Sequence, residues 1–407
     1  MKILLVLQPS RKDWYTYLRE DKENEYYLLW HESAKNVPAW ILQDKFFRKV
    51  YCWNNFPTTK KLLHGINPDR IVFFEIIDQR QIALLVAANK KKIKTFYLEH
   101  GASAERETAI REAEHKNYFF SAKLKYLKNR FDSEFVNLLK SKYFYYSSAS
   151  RLNSTSSFFK YIFLPFRMLF STPNKVLAYC KFIERTPAES IVFNRSNFEV
   201  FELYTGIKSE TAIFTGVPLF DKVYNSVKSK GSYAIFIDHP YLEDSLMEWT
   251  PAFHKKVADS LNNFVLTQKT KLFVRLHPRS SKVLWESYGY ISDNFILSQH
   301  DDFTQELLNS KLILSFSSTL LTGVLCAKKN IVLLGWHPAP CISGFDFSKF
   351  GICHLSYDVN DLMAKYTYWL NNNLAETHFE EYMEFIYEIN FPFDGNAAKR
   401  VIKALTS

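Results

Sequence analysis

A chain of 407 residues, 47% hydrophobic and 23% charged, has the length of two domains and the composition of a folded protein, which excludes a disordered or fibrous chain. A formal net charge of +10 with 17% aromatic residues favours anionic partners, either a phosphorylated substrate or an anionic lipid surface. No nucleic-acid partner is expected, because the chain carries no recognisable binding module or clean basic helix.

The five cysteines (Cys52, Cys180, Cys326, Cys341, Cys353) are odd in number, and none stands at CxxC spacing. They argue against a disulfide framework and a zinc site, and they fit a reducing, cytoplasmic compartment. The first apolar run, Ile3 to Leu7, is too short for a signal-peptide core and suits a buried strand. No stretch reaches the ~18 apolar residues of a membrane-spanning helix.

In chain order, strands are predicted at Lys2–Leu7, Tyr26–Trp30, Lys49–Cys52, Arg70–Phe74 and Thr95–Leu98. Between the last two, Gln79–Lys90 repeats its apolar residues at helical spacing. Residues 117–185 break this alternation. They mix Lys and Arg with many Phe and Tyr, as in NYFFSAKLKYLKNRF and FFKYIFLPFRMLF. Such an insertion can lie on an anionic membrane, or pack as helices on the first domain with its Lys side chains reaching outward. Pro165 and Pro173 are expected to break any helix there.

Further strands follow at Ser190–Phe193, Ala212–Thr215, Tyr233–Ile237, Lys271–Leu276, Leu312–Phe316 and Ile331–Leu334, with helices at Ala252–Asn263 and Phe303–Ser310. The alternation predicts an α/β fold with parallel sheets in two similar domains. The expected boundaries are 1–215, carrying the insertion 117–185, and 216–390, with a hinge at Gly216–Asp221. Residues 391–407 are expected to form a helix crossing back.

Four stretches concentrate groups able to handle a phosphate or a proton. Leu272–Ser281 (LFVRLHPRSS) runs a strand into Arg275, His277, Pro278 and Arg279. Ligands of doubly wound sheets lie beyond strand carboxyl ends, where a histidine can donate to a phosphate oxygen or protonate a leaving phosphate. The competing reading is that Arg275 and His277 pair with a neighbouring loop. Leu312–Gly323 (LILSFSSTLLTG) ends a strand in Ser315, Ser317, Ser318 and Thr319 before a helix, an arrangement suited either to an anion or to plain capping.

An HP motif followed by a Ser-Ser motif, each closing a strand, resembles the bacterial two-Rossmann-domain (GT-B) transferases that use CMP-activated acidic sugars. These include the retaining β-Kdo transferases and the bacterial sialyltransferases. The resemblance spans roughly residues 190–340 through short motifs. It implies two domains facing a cleft, a CMP phosphate held by His277, Pro278, Ser317 and Ser318, and no metal cofactor.

The third stretch, YAIFIDHPYLE, closes a strand on Asp238, a base, a nucleophile or a cap by its position; its neighbour His239 shares that ambiguity. The resemblance implies that Asp238 is the nucleophile of a retaining transfer. The fourth, LEHGASAE, ends a first-domain strand on Glu99, His100 and Gly101. Sialyltransferases carry an acidic-acidic-Gly motif here whose acid is the base; this chain has His in the second place. Glu99 or His100 would then be the base of an inverting transfer, or Glu99 a structural ion-pair partner. Glu75 and Asp78 could line the acceptor side, and His337 in GWHPAP is a loop histidine. Asp301 and Asp302 form an acidic pair in a predicted surface loop rather than a metal site.

The expected function is transfer of an acidic sugar, Kdo ahead of sialic acid, from CMP to a bacterial surface polysaccharide, lipopolysaccharide or lipid-linked glycan at the inner membrane face. The alternatives are a CDP-glycerol-type polyol-phosphate transferase, disfavoured because SSTLLTGVL lacks an acidic residue after the serines, and a non-catalytic scaffold.

Overall fold

The computed structural model describes residues 1–9, 12–30, 37–76, 78–100, 136–170, 179, 183–205, 211–224, 231–244, 246–299, 304–338 and 345–407. The chain divides into two compact units. One holds the N-terminal half through Thr215 together with Ala398–Ser407; the other is Gly216–Ala397. Gly216 marks the boundary with φ +76°, and a Cβ there would collide with the Pro392 carbonyl oxygen, so only glycine fits.

In the first unit a seven-stranded parallel sheet has the order β3-β2-β1-β4-β5-β6-β7. Its strands are β1 (Lys2–Val6), β2 (Glu25–Trp30), β3 (Phe47–Cys52), β4 (Arg70–Phe73), β5 (Lys94–Leu98), β6 (Glu189–Val192) and β7 (Ala212–Phe214). Apolar residues fill nearly every position of β1 and β2, as a sheet covered on both faces requires. The helix Gln79–Lys90 carries β4 to β5. A capping box starts it: the Asp78 side chain accepts from the Arg80 N–H, and Gln81 Oε1 accepts from the Asp78 N–H. Asp78 is therefore engaged in holding a helix end.

The helix Thr155–Phe170 runs straight through Pro165, against expectation. Proline removes the N–H that would bond the carbonyl of Tyr161, four residues back. Here the Tyr145 hydroxyl donates to that carbonyl at 2.6 Å, and the Tyr161 hydroxyl donates to the Tyr145 carbonyl at 2.7 Å. The two rings stack at 4.1 Å, and both side chains lie fully buried in the core beside Leu62, Phe73 and Leu85. Tyr145→Phe is expected to strand the Tyr161 carbonyl and cost about 1–3 kcal/mol. Pro165→Ala in that background should restore much of it by returning an N–H donor. A double-mutant cycle in urea checks this, and strict additivity would refute the account. Pro173 and residues 117–135 lie outside the described residues.

The C-terminal helix Ala397–Thr406 joins the first unit at the foot of β4. The Arg70 guanidinium donates to the carbonyls of Leu405, Thr406 and Ser407, and Arg400 Nε donates to the Thr215 carbonyl at 2.8 Å.

The second unit holds a six-stranded parallel sheet, order β10-β9-β8-β11-β12-β13. Its strands are β8 (Tyr233–Ile237), β9 (Leu272–Arg275), β10 (Phe295–Ser298), β11 (Ser310–Ser315), β12 (Ile331–Leu334) and β13 (His354–Ser356). The helices Pro251–Gln268 and Val359–Asn371 bury Leu261, Phe264 and Trp369 against one face. Each such side chain contributes roughly 1.5–3 kcal/mol by leaving water. The strand order places β8 centrally, flanked by the strands that end in the HPR and FSST motifs.

Candidate functional site

In the second unit three adjacent parallel strands end in register: Arg275 of β9 pairs with Ile237 of β8, which pairs with Ser315 of β11. Two residues further along each chain stand His277, His239 and Ser317. At ~4.8 Å per strand, His277 and Ser317 flank the β8 terminus about 10 Å apart, with His239 between them. Ring contacts bear this out. His277 stacks on His239 at 5.8 Å, His239 stacks on Tyr241 at 4.5 Å, and the Tyr241 hydroxyl donates to the Ser317 carbonyl at 3.3 Å. The structure thus brings the HPR and FSST stretches to one end of one sheet.

The Arg279 N–H donates to His277 Nδ1 at 3.1 Å across the tight turn that Pro278 opens. With Nδ1 accepting that bond, the ring carries its proton on Nε2, a nitrogen able to donate to an anion. Burial, with His277 beside it, pushes the His239 pKa down to about 4, so His239 is a neutral imidazole at physiological pH. Ser317 and Ser318 are both buried. Ser318 Oγ accepts from the Leu320 N–H at 3.3 Å and so shapes the turn that leads into the short helix Leu321–Cys326. Thr319 sits in the same turn, its carbonyl accepting from the Thr322 N–H.

Other predicted residues have structural partners. Arg275 faces Glu306 at 3.9 Å, both nearly buried, and Glu306 is also bonded by the Ser298 hydroxyl. Arg279 is exposed and pairs with Asp244 at 2.8 Å. Ser315 Oγ donates to the Ile237 carbonyl at 3.1 Å and ties β11 to β8. His337 stacks on Trp249 at 5.2 Å. Asp238 continues the ladder beyond β8, its N–H donating to the Arg275 carbonyl at 2.9 Å. Its carboxyl is buried and accepts from Trp285 Nε1 at 3.3 Å. Burial pushes its pKa up to about 7, so it keeps its proton to higher pH than an ordinary aspartate. Asp301 and Asp302 lie outside the described residues.

In the first unit Glu99 and His100 leave the end of β5 in different environments. Glu99 is buried; its Oε2 accepts from the Phe193 N–H at 2.6 Å, and burial pushes its pKa up to about 8. His100 is more open. Its Nε2 lies 3.7 Å from Glu75 Oε1, and its ring packs on Trp14 at 4.2 Å. Glu75 follows β4, so parallel neighbours again place two titratable groups side by side. Glu75 beside the imidazole can orient the ring for proton transfer. Glu75 and His100 stand 25 residues apart along the chain, and only strand adjacency reveals the pair.

Two Rossmann-like units with parallel sheets make a fold of the GT-B type. Their fold is shared with the UDP-GlcNAc 2-epimerases of Methanocaldococcus jannaschii (TM-score 0.54, 11% identity, covering 100% of this chain and 99% of that one) and Neisseria meningitidis bound to UDP-GlcNAc (0.53, 13%, 100% and 100%). The wall teichoic acid polymerase TagF is similar as well (0.55, 13%, 100% and 88%). At these identities the likeness is one of fold. No curated protein matches in sequence. The profile of the alpha-2,8-polysialyltransferase family matches residues 18–322, well over half of the chain, and the chain belongs to that family.

Among the described residues no helix is long and apolar enough to cross a membrane, and no group of three or more His, Cys, Asp and Glu is arranged to hold a metal ion. Cys52, Cys326 and Cys353 are free thiols, while Cys180 and Cys341 lie outside the described residues.

Proposed function

We propose that the protein transfers sialic acid from CMP-sialic acid onto a growing acidic surface polysaccharide, building α2,8 linkages at the inner face of the cytoplasmic membrane. The observation that carries this reading is the row His277, His239 and Ser317 across three adjacent strand ends, in a chain of the polysialyltransferase family. That membership favours sialic acid over Kdo as the acidic sugar. Metal is unnecessary in this reading: the single phosphate of CMP is met by neutral donors, where a diphosphate donor calls for a cation.

In the proposed step the acceptor hydroxyl attacks the anomeric carbon, and the bond from that carbon to the CMP phosphate oxygen breaks. The acceptor proton passes to His100, oriented by Glu75; Glu99, buried with its pKa pushed up to about 8, keeps its own proton. The departing phosphate oxygen receives a hydrogen bond from His277 Nε2. This direct displacement inverts the anomeric centre. A retaining route needs an ionised nucleophile open to the sugar; the burial of Asp238 against Trp285 and its raised pKa favour inversion.

CMP should raise the melting temperature more than CDP or UDP does, by an amount equivalent to about 2.7 kcal/mol at a hundredfold excess over its Kd. Incubation with CMP-sialic acid and CMP-Kdo, with NMR of the product, then reads both the sugar and the anomer. A melting temperature indifferent to CMP, or a product that keeps the donor's configuration, would overturn this reading.

A further inference from the structure

The helix Thr155–Phe170 presents two opposite faces, and both are apolar. Ser157, Tyr161, Leu164 and Pro165 are buried and point into the first unit's core. On the other side Phe159, Phe163 and Phe166 recur at i, i+4 and i+7, so they form one stripe. They are 54%, 50% and 55% exposed, and the neighbouring Phe158 is 39% exposed. A surface helix ordinarily turns polar residues outward, and a contiguous exposed apolar stripe marks an interaction surface.

The charges beside the stripe say what it meets. At 100° per residue, Lys160 and Arg167 fall on one flank of the phenylalanines. Arg167 is exposed, its guanidinium 5.1 Å from the centre of the Tyr179 ring. From residue 136 to residue 170 the chain carries Lys140, Lys142, Arg151, Lys160 and Arg167, and no Asp or Glu. A protein partner of ordinary surface would be matched by mixed charge. An acid-free basic segment edged by exposed phenylalanines matches a surface with negative charge above a hydrocarbon layer.

We propose that this face of Thr155–Phe170 docks on an anionic phospholipid bilayer, with Phe159, Phe163 and Phe166 below the headgroups and Lys160 and Arg167 at the lipid phosphates. The inference borrows from the proposed function only its location at a membrane. Vesicle binding needs neither donor nor acceptor, so it stands or falls apart from the sugar-transfer reading. Docking of this kind is peripheral and reversible, as each exposed ring adds a limited apolar area and each basic residue near the surface about 1 kcal/mol of attraction.

The test is flotation of the full chain with phosphatidylcholine vesicles, with or without roughly 30% phosphatidylglycerol. The wild type should float only with the anionic vesicles and release in high salt. The F159S/F163S/F166S and K160E/R167E variants should each bind at least tenfold less, with unchanged melting temperature and unchanged response to CMP. In Phe163→Trp, fluorescence should shift to the blue on vesicle addition and be quenched by brominated lipid. Three outcomes overturn the proposal. The wild type may fail to bind anionic vesicles. Wild-type self-association lost in the triple variant would assign the stripe to a second copy of the chain. Emission of Phe163→Trp that is already blue-shifted and unmoved by vesicles would show the stripe covered by the chain's own residues.

Discussion

Alanine at position 277 is expected to lower kcat on the order of a thousandfold, the scale on which a positioned hydrogen-bond donor at a developing negative charge contributes. The geometry behind this is local. The Arg279 N–H fixes Nδ1 as an acceptor, which leaves Nε2 as the donor, and His239 stacked alongside stays neutral. His277→Gln keeps a hydrogen-bond donor for the phosphate and tests whether donation alone accounts for the effect. CMP affinity and kcat in that variant should both fall less than in the alanine variant. Wild-type turnover in His277→Ala would remove this residue from the mechanism.

The share of stability that depends on Glu99 and Asp238 is expected to fall as pH rises from about 4 to 8. Glu99 and Asp238 ionise in the unfolded chain near 4.5 and 3.8 and in the fold near 8 and 7. Within each window the native state keeps a proton that the unfolded chain has released, so unfolding becomes easier by roughly 1.4 kcal/mol per pH unit for each group. The stabilising contribution is complete below the unfolded values and gone above the folded ones. Glu99→Gln keeps an acceptor for the Phe193 N–H but cannot ionise. It should melt higher than the wild type at pH 8, and the gain should shrink toward pH 5. Asp238→Asn should behave alike over the lower window. A difference in melting temperature that stays flat between pH 5 and 8 would refute the assignment.

The sheet strands were legible because both sheets are buried on two faces, so β1, β4, β8, β11 and β12 read as short apolar runs between turns. Two edge strands were not. β10 is four residues with its middle pair half exposed, and β13 is three residues, His354–Ser356, with Leu355 outward; neither has enough apolar residues to stand out. The helix through Pro165 escaped because its rescue comes from Tyr145, twenty residues upstream. The HPR and FSST motifs suggested an anion site through residue type alone. Their joint placement depended on β8 lying between them, and that is a matter of strand order, to which local pattern is blind. The partner of Arg275 was hidden for the same reason, since Glu306 sits 31 positions away along the chain.

The Arg70 guanidinium at the foot of β4 closes on the carbonyls of Leu405, Thr406 and Ser407, more than three hundred residues downstream. During translation, therefore, the first half emerges early yet lacks one of its packing helices until the ribosome has made all of Gly216–Ala397 as well. At about 5–20 residues per second that delay is on the order of ten seconds or more. The second unit can close on itself in the meantime, so the portion synthesised first is the portion finished last, and an unfinished nascent chain is left with an uncovered apolar flank that invites chaperones.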